Sequence, residues 1–237
     1  MSEIKMNNHQ RIIILIFFFS LIIGLSVSSN ASITTVITIS VEADSYVDSD
    51  DPTSNFGEED YIKVSKFEGI NNTNTTKTGL IRFSLTELQD IDIDSVFLEL
   101  YVLMLTVRHR IGVYKSSDVS WNELTVTHNT RPSYNETVLD TELVGPDWEW
   151  YSWSVTEAVN DSVETGQITF VIKVEKIYKS TDWVWFFSKD SELKEGYSPR
   201  LYVNYTESKA SSGPNYLIIL ISLFPLLLKK QQRNKGE

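Results

Sequence analysis

The sequence predicts an all-β domain, a two-layer antiparallel β-sandwich of jelly-roll type, flanked by an N-terminal signal segment and a C-terminal hydrophobic tail. Three observations predict it. Apolar and aromatic residues alternate with period two through the middle of the 237-residue chain. Clusters of Gly, Asn, Asp, Ser and Pro separate the alternating runs. Only one stretch has helical character. Alternation rich in β-branched and aromatic residues, cut by turn formers, is the pattern of half-buried antiparallel strands. Many short strands within one domain then favour a sandwich.

The first segment, residues 1–31, reads as a signal peptide or signal anchor. Lys5 and Arg11 precede the apolar run Ile12–Ile23 (IIILIFFFSLII), and small residues follow at Ser26, Ser28, Ser29 and Ala31. Charge, apolar run and small-residue exit are the layout of a secretory signal. The apolar run is also near the length that spans a bilayer, which leaves the uncleaved anchor open.

Residues 37–205 carry the strand pattern. In VFLELYVLM, Val96, Leu98, Leu100, Val102 and Met104 fall on one face, and ITFVIKV does the same with Ile168, Phe170, Ile172 and Val174. Trp183, Trp185 and Phe187 share parity in DWVWFFS, as do Leu201, Val203 and Tyr205 in RLYVNY. Turn clusters are expected at Ser49–Gly57, Gly69–Thr78, Pro132–Asn135, Lys176–Asp182 and Lys189–Pro199. The helix-like stretch is Ser154–Gly166, with Thr156 placed to cap one or two turns and Gly166 to end them. In WNELTVTHNTRP, residues 121–132, Trp121 is expected to anchor a loop, and Thr125 and Thr127 to share one side of a short strand.

After the domain, residues 206–215 form a polar linker. Residues 216–228 (YLIILISLFPLLL) are a transmembrane or sorting segment, and 229–237 a basic cytoplasmic tail. Thirteen residues rise only about 20 Å as a helix against a hydrocarbon core of about 30 Å, so both routes to the surface stay open. The basic residues that follow fit a tail left on the cytoplasmic side.

The formal charge is −11 although both ends are basic, so the middle is more acidic still. Such a surface repels polyanions and argues against nucleic acid as a partner. The chain has no Cys, so its stability rests on core burial without disulfides. Asn71, Asn74, Asn135, Asn160 and Asn204 each begin an Asn-x-Ser/Thr glycosylation sequon within the middle region. With the signal and the tail, they give an extracellular, cell-surface, membrane-anchored address.

Four segments in order resemble the DNRLRE domain, the group that includes carbohydrate-binding module family 96. They are EADSYVDSDDPTSNFGEEDYIKV (42–64), then GLIRFSLTEL with DSVFLELYV (79–102), then WNELTVTHNTRP (121–132). The last is the pair SWSVTEAVND and FFSKDSELKEGYSPRLYVNY (152–205). The sequence departs from the family pattern at His128, where Trp is common, and at Ser188-Lys189-Asp190, where Ser-Arg-Glu is. The resemblance covers about residues 37–205 and implies a β-sandwich that binds carbohydrate.

No catalytic motif stands out, and the protein is not expected to be an enzyme: Gly-x-Ser-x-Gly, His-Glu-x-x-His and phosphate-cradling Gly loops are missing from the sequence. The expected function is a non-catalytic extracellular carbohydrate-binding module displayed on the cell surface, with a polysaccharide or surface glycan as partner. The alternative is a structural cell-envelope or adhesion protein without a defined sugar ligand. Sugars stack their C–H faces on exposed aromatic rings, and DWEWYSW offers Trp148 and Trp150 for this, with Trp153 expected in the core. Arg108 and Arg110, the densest basic cluster of the middle, suit acidic sugars because guanidinium groups donate in pairs and stay charged. A structural calcium ion is the one cofactor suggested. Asp44, Asp48, Asp50, Asp51 and Asn55 offer hard oxygens within twelve positions, about half of the shell that calcium takes.

Overall fold

Strand formation follows the alternation. The computed structural model describes residues 33–68, 74–105, 107–146, 148–176, 183–192 and 196–207. Eleven strands lie within them: β1 (Ile33–Ser40), β2 (Ala43–Asp48), β3 (Tyr61–Glu68), β4 (Asn74–Ser84), β5 (Ile93–Leu105), β6 (His109–Ser116), β7 (Tyr134–Val144), β8 (Trp150–Ser154), β9 (Gln167–Val174), β10 (Val184–Phe187) and β11 (Arg200–Glu207). The signal segment, the C-terminal tail and Asn71 lie outside the described residues. Among the described residues no helix is long and apolar enough to cross a membrane.

The fold is all-β and antiparallel, with one difference from the arrangement expected. Hydrogen bonding joins the strands into one curled sheet, in the order β1-β11-β5-β10-β3-β4-β9-β6-β7, with β8 added to β5 and β2 to β4. Two separately bonded layers are replaced by two arms joined through β10. The joint is built by two strands that split their pairing. β5 gives Ile93–Glu99 to β11 and Val102–Leu105 to β10. β3 gives Tyr61–Val64 to β10 and Ser65–Glu68 to β4.

The curl encloses the core. Val96, Leu98, Leu100 and Val102 of β5 meet Ile168, Phe170, Ile172 and Val174 of β9 in one cluster, with Leu201 and Val203 of β11 beside them. Burying each such side chain stabilises by roughly 1.5–3 kcal/mol. Trp153 of β8 crosses between the arms: it is fully buried, and its Nε1 donates to the Ile111 carbonyl of β6 at 3.1 Å. An indole this large needs that acceptor, because an unmade buried bond costs more than a made one contributes. The expected core position of Trp153 is therefore met.

A second, smaller core lies under the loop that follows β6. Val47, Leu80, Tyr114, Val126 and Val171 pack around Trp121, whose Nε1 donates to Thr169 Oγ1 at 3.0 Å. The Arg82 guanidinium covers the Trp121 ring at 5.1 Å and its Nη1 donates to the Trp121 carbonyl at 2.6 Å. Trp121 is thus a loop anchor. Thr125 and Thr127 are not on a strand, because this segment closes in successive turns: the Val126 N–H donates back to Asn122 and the Thr130 N–H to Thr127.

The helical stretch is α1 (Thr156–Asn160) followed by a 3₁₀ turn, Val163–Thr165, that ends at Gly166 with φ 76°. That left-handed residue is the glycine stop expected. Thr156 does not cap the helix. Its Oγ1 accepts the Val96 N–H at 2.9 Å, fixing the helix to the edge of β5 instead.

Candidate functional site

Period two gives each strand an outer face as well as a core face. On β5 the residues between the core positions are Phe97, Glu99 and Tyr101, all half-buried. Cross-strand register then sets Trp150 of β8 beside Tyr101, and Arg200 and Tyr202 of β11 beside Glu99 and Phe97. On β10 the core face is Val184 and Phe186, so Trp185 points outward, opposite Lys63 of β3, and Phe187 stands opposite Tyr61. The shared parity of Trp183, Trp185 and Phe187 is real, but theirs is not the face of the main core cluster, although Phe187 is itself fully buried.

These residues form an aromatic tract of two groups across the joint of the sheet, bridged by Phe187, which stands opposite Tyr61 and packs against Tyr101 and Tyr197. Tyr61 and Trp185 stack with centroids 4.2 Å apart and planes 6° from parallel. Trp183 continues the row at 6.1 Å and 18°. On the Tyr61 side the row ends against Tyr46, which is buried in the main core with Phe56 stacked on it. Beyond Phe187, Tyr101 meets Tyr197 edge-on at 4.1 Å and Trp150 at 5.4 Å. Rings in face contact lie about 3.5–4 Å apart, so near-parallel rings 6.1 Å apart are laterally offset and leave part of each face uncovered.

Polar groups frame the tract. Lys63 Nζ lies over Trp183 and Trp185 at 4.7 and 4.8 Å, and burial lowers its pKa. The Arg200 guanidinium covers Trp150 at 3.9 Å while its Nε donates to Glu99 at 2.7 Å. Tyr101 hydroxyl donates to the Trp148 carbonyl at 2.6 Å. Trp148 itself is 57% exposed, and Trp150 is half-buried inside the tract.

Arg108 and Arg110 are not part of this face. Both are exposed, and Arg110 alternates with the core residues Ile111 and Val113 of β6, so it points outward from the opposite arm. Its Nη1 reaches Thr141 Oγ1 at 3.3 Å. A different basic cluster was missed from sequence. Lys66, Lys173, Arg131 and His128 line a cavity of about 150 Å³ with Tyr134 and Ser65. Lys173 Nζ lies 4.0 Å over Tyr114 and donates to Tyr134 hydroxyl at 3.0 Å. Burial, and then the charge of Arg131, lower the His128 pKa. Ser65 Oγ is buried there without a hydrogen-bond partner among the described residues. Four cationic or titratable side chains from three separated segments gave no local signal.

The five residues suggested for calcium do not converge. Asp44 is 2% exposed, and its Oδ2 accepts the Lys189 N–H at 2.8 Å. Burial, assisted by Glu123 and Asp190, pushes its carboxyl up to about 8 against the lowering effect of the Lys189 N–H. Asp48 contacts Lys77. Asn55 spends its amide on the carbonyls of Glu123 and Val126, both at 2.7 Å, and its Oδ1 accepts the Gly57 N–H. Asp50 and Asp51 are exposed, and Asp50 Oδ1 accepts from Thr75 Oγ1. Among the described residues no three His, Asp or Glu side chains are grouped to hold a metal ion. What these residues build is a junction between two motifs. Glu123 Oε1 accepts the Asp44 N–H at 2.7 Å, and its Oε2 meets Lys189 at 3.1 Å.

Of the sequons, Asn135 and Asn160 are exposed, while Asn204 is half-buried and donates to Ser95 Oγ at 2.9 Å. Asn74 opens β4. A sequence model of carbohydrate-binding module family 96 matches residues 35–205, which include every strand of the sheet in whole or in part. No curated protein matches the chain.

Proposed function

The chain belongs to carbohydrate-binding module family 96, and from that premise we propose that it holds a glycan against the outer aromatic tract of its sheet, without catalysing any reaction on it. The observation that carries this reading is the tract itself. The outer face of a solvated antiparallel sheet is ordinarily polar, and a contiguous apolar patch on it marks a binding surface. Here Trp183, Trp185 and Tyr61 form one row and Tyr101, Tyr197 and Trp150 a second. Phe187, which stands opposite Tyr61 and packs against Tyr101, bridges them across the joint. Flat ring faces suit the C–H faces of pyranose rings. Lys63, Arg200 and Glu99 at their margins suit hydroxyl groups as donors and acceptor.

Trp150, expected from sequence as a binding residue, retains that role in this reading as part of the tract, and Trp148 extends it at its exposed end. The role given to Arg108 and Arg110 passes to the Lys66–Lys173–Arg131–His128 cavity. Its donors fit a carboxylate or sulfate substituent on a glycan that carries one. The signal segment, sequons and C-terminal apolar segment support display of the module outside the cell, held at the surface by its tail.

A glycan-array screen of the purified protein tests the reading. Retention of a defined glycan class, reduced in the Trp185→Ala protein, is the expected result. An array with no retained glycan would favour the structural, ligand-free alternative.

A further inference from the structure

Asp48 ends β2 and stands directly opposite Lys77 of β4 in the antiparallel register. Period two puts Asp48 on the face of Tyr46, and Lys77 on the face of Ile81, and both of those residues belong to the main core. Lys77 Nζ is in contact with Asp48 Oδ2, with the two side chains only 16% and 9% exposed. The other carboxyl oxygen, Oδ1, accepts the Asp50 N–H at 3.0 Å. Burial lowers the pKa of Lys77.

A charged pair at such a site carries the cost of removing two ions from water. Returning one proton from Nζ to Oδ2 cancels both charges, and leaves an amine touching a carboxylic acid. We propose that Lys77 and Asp48 are joined by an intramolecular isopeptide bond that staples β2 to β4. The neutral Nζ adds its lone pair to Cγ, forming the C–N bond. Negative charge gathers on Oδ1, where the Asp50 N–H already points, in the manner of an oxyanion hole. Oδ2 keeps its own proton, takes a second from Nζ and leaves as water when the C–O bond breaks. The product is a neutral amide, which removes the buried charges altogether. No other reactant is consumed. Fixed cross-strand contact supplies the proximity that makes such a condensation effectively unimolecular.

The bond would serve a chain that has no cysteine. Like a disulfide, it restricts the unfolded chain, here by closing the segment from Asp48 to Lys77. It does not depend on the carbohydrate reading.

The full chain is denatured, digested with trypsin and sequenced by tandem mass spectrometry. The expected result is no cleavage after Lys77, and one branched species that joins the peptides holding Asp48 and Lys77, lighter than their sum by one water. Asp48→Ala should restore cleavage after Lys77, and Lys77→Arg should release an unmodified Asp48 peptide. Ordinary cleavage after Lys77 in the wild-type chain, with both peptides recovered unlinked, would overturn the proposal and leave an ion pair.

Discussion

Tyr61 of β3 and Trp185 of β10 lie ring on ring, 4.2 Å apart and 6° from parallel, on the outer face of the strand that joins the two arms of the sheet. Each ring limits the rotamers of the other, so a ligand that lands on Trp185 does not have to order it first. Preorganisation of this kind favours affinity by reducing the entropy lost on binding. Tyr61→Ala is expected to weaken glycan binding several-fold, although Trp185 itself stays in place. Aromatic pairing contributes about 0.5–1.5 kcal/mol beyond area burial, so stability should fall by about that much or slightly more. Denaturant titration beside the binding measurement separates the two effects.

Asp44 gives the domain a pH dependence of definite sign. Its folded pKa, pushed up to about 8 chiefly by burial, lies above the unfolded value of about 3.9. The folded state therefore binds the proton more tightly, and this contribution is fully present below the unfolded pKa and lost as pH rises towards 8. Asp44→Asn keeps an oxygen to accept the Lys189 N–H but cannot ionise. Its melting midpoint, relative to wild type, should rise steadily from pH 5 to pH 8. A constant difference across that range would show that Asp44 does not titrate there.

Gly57 sits where no side chain fits. A Cβ on it would lie 2.1 Å from the Glu123 carbonyl oxygen, a contact that only backbone movement can relieve. Gly57→Ala should push apart the junction that Asn55 makes with Glu123 and Val126, at a cost of about 1–3 kcal/mol. The expected readout is a lower denaturation midpoint with the sheet retained by circular dichroism.

The arrangement around the Ser49–Gly57 turn predicts no calcium dependence. Calcium takes six to eight oxygens, and three of the five candidate side chains are committed to Lys189, Lys77 and backbone groups. Thermal melting in chelator and in millimolar calcium should give one midpoint. A rise with calcium would place an ion on Asp50, Asp51 and backbone oxygens, since a ligand of the folded state stabilises by mass action.

The strands were legible because alternation is a local property. Val96 to Val102 and Ile168 to Val174 announce a core face from sequence and lie on it. Met104, expected on the same face, is exposed, because the register shifts where β5 meets β10 and sets Met104 opposite Trp185. The joining of the sheet through β10 was not legible. It depends on β3 and β5 dividing their pairing, and nothing local in Tyr61–Glu68 or Ile93–Leu105 marks the division. Trp150 was found because three tryptophans crowd one short segment. Tyr61, Tyr101 and Tyr197 were missed because each is ordinary in its own strand or loop, and only the register brings them together. The same reason hid Lys66, Lys173 and Arg131, which meet from β3, β9 and the loop before β7.

The central claim, that glycan is held on the outer tract, is tested most directly by isothermal titration of the array-selected glycan into wild-type and Trp185→Ala protein. Truncating a central aromatic anchor at a binding surface typically costs 2 kcal/mol or more, so affinity should fall at least about tenfold. The circular dichroism spectrum should stay unchanged, because Val184 and Phe186, rather than Trp185, fill the core. Equal affinity in the two proteins, with both folded, would contradict the account and move the glycan off this face.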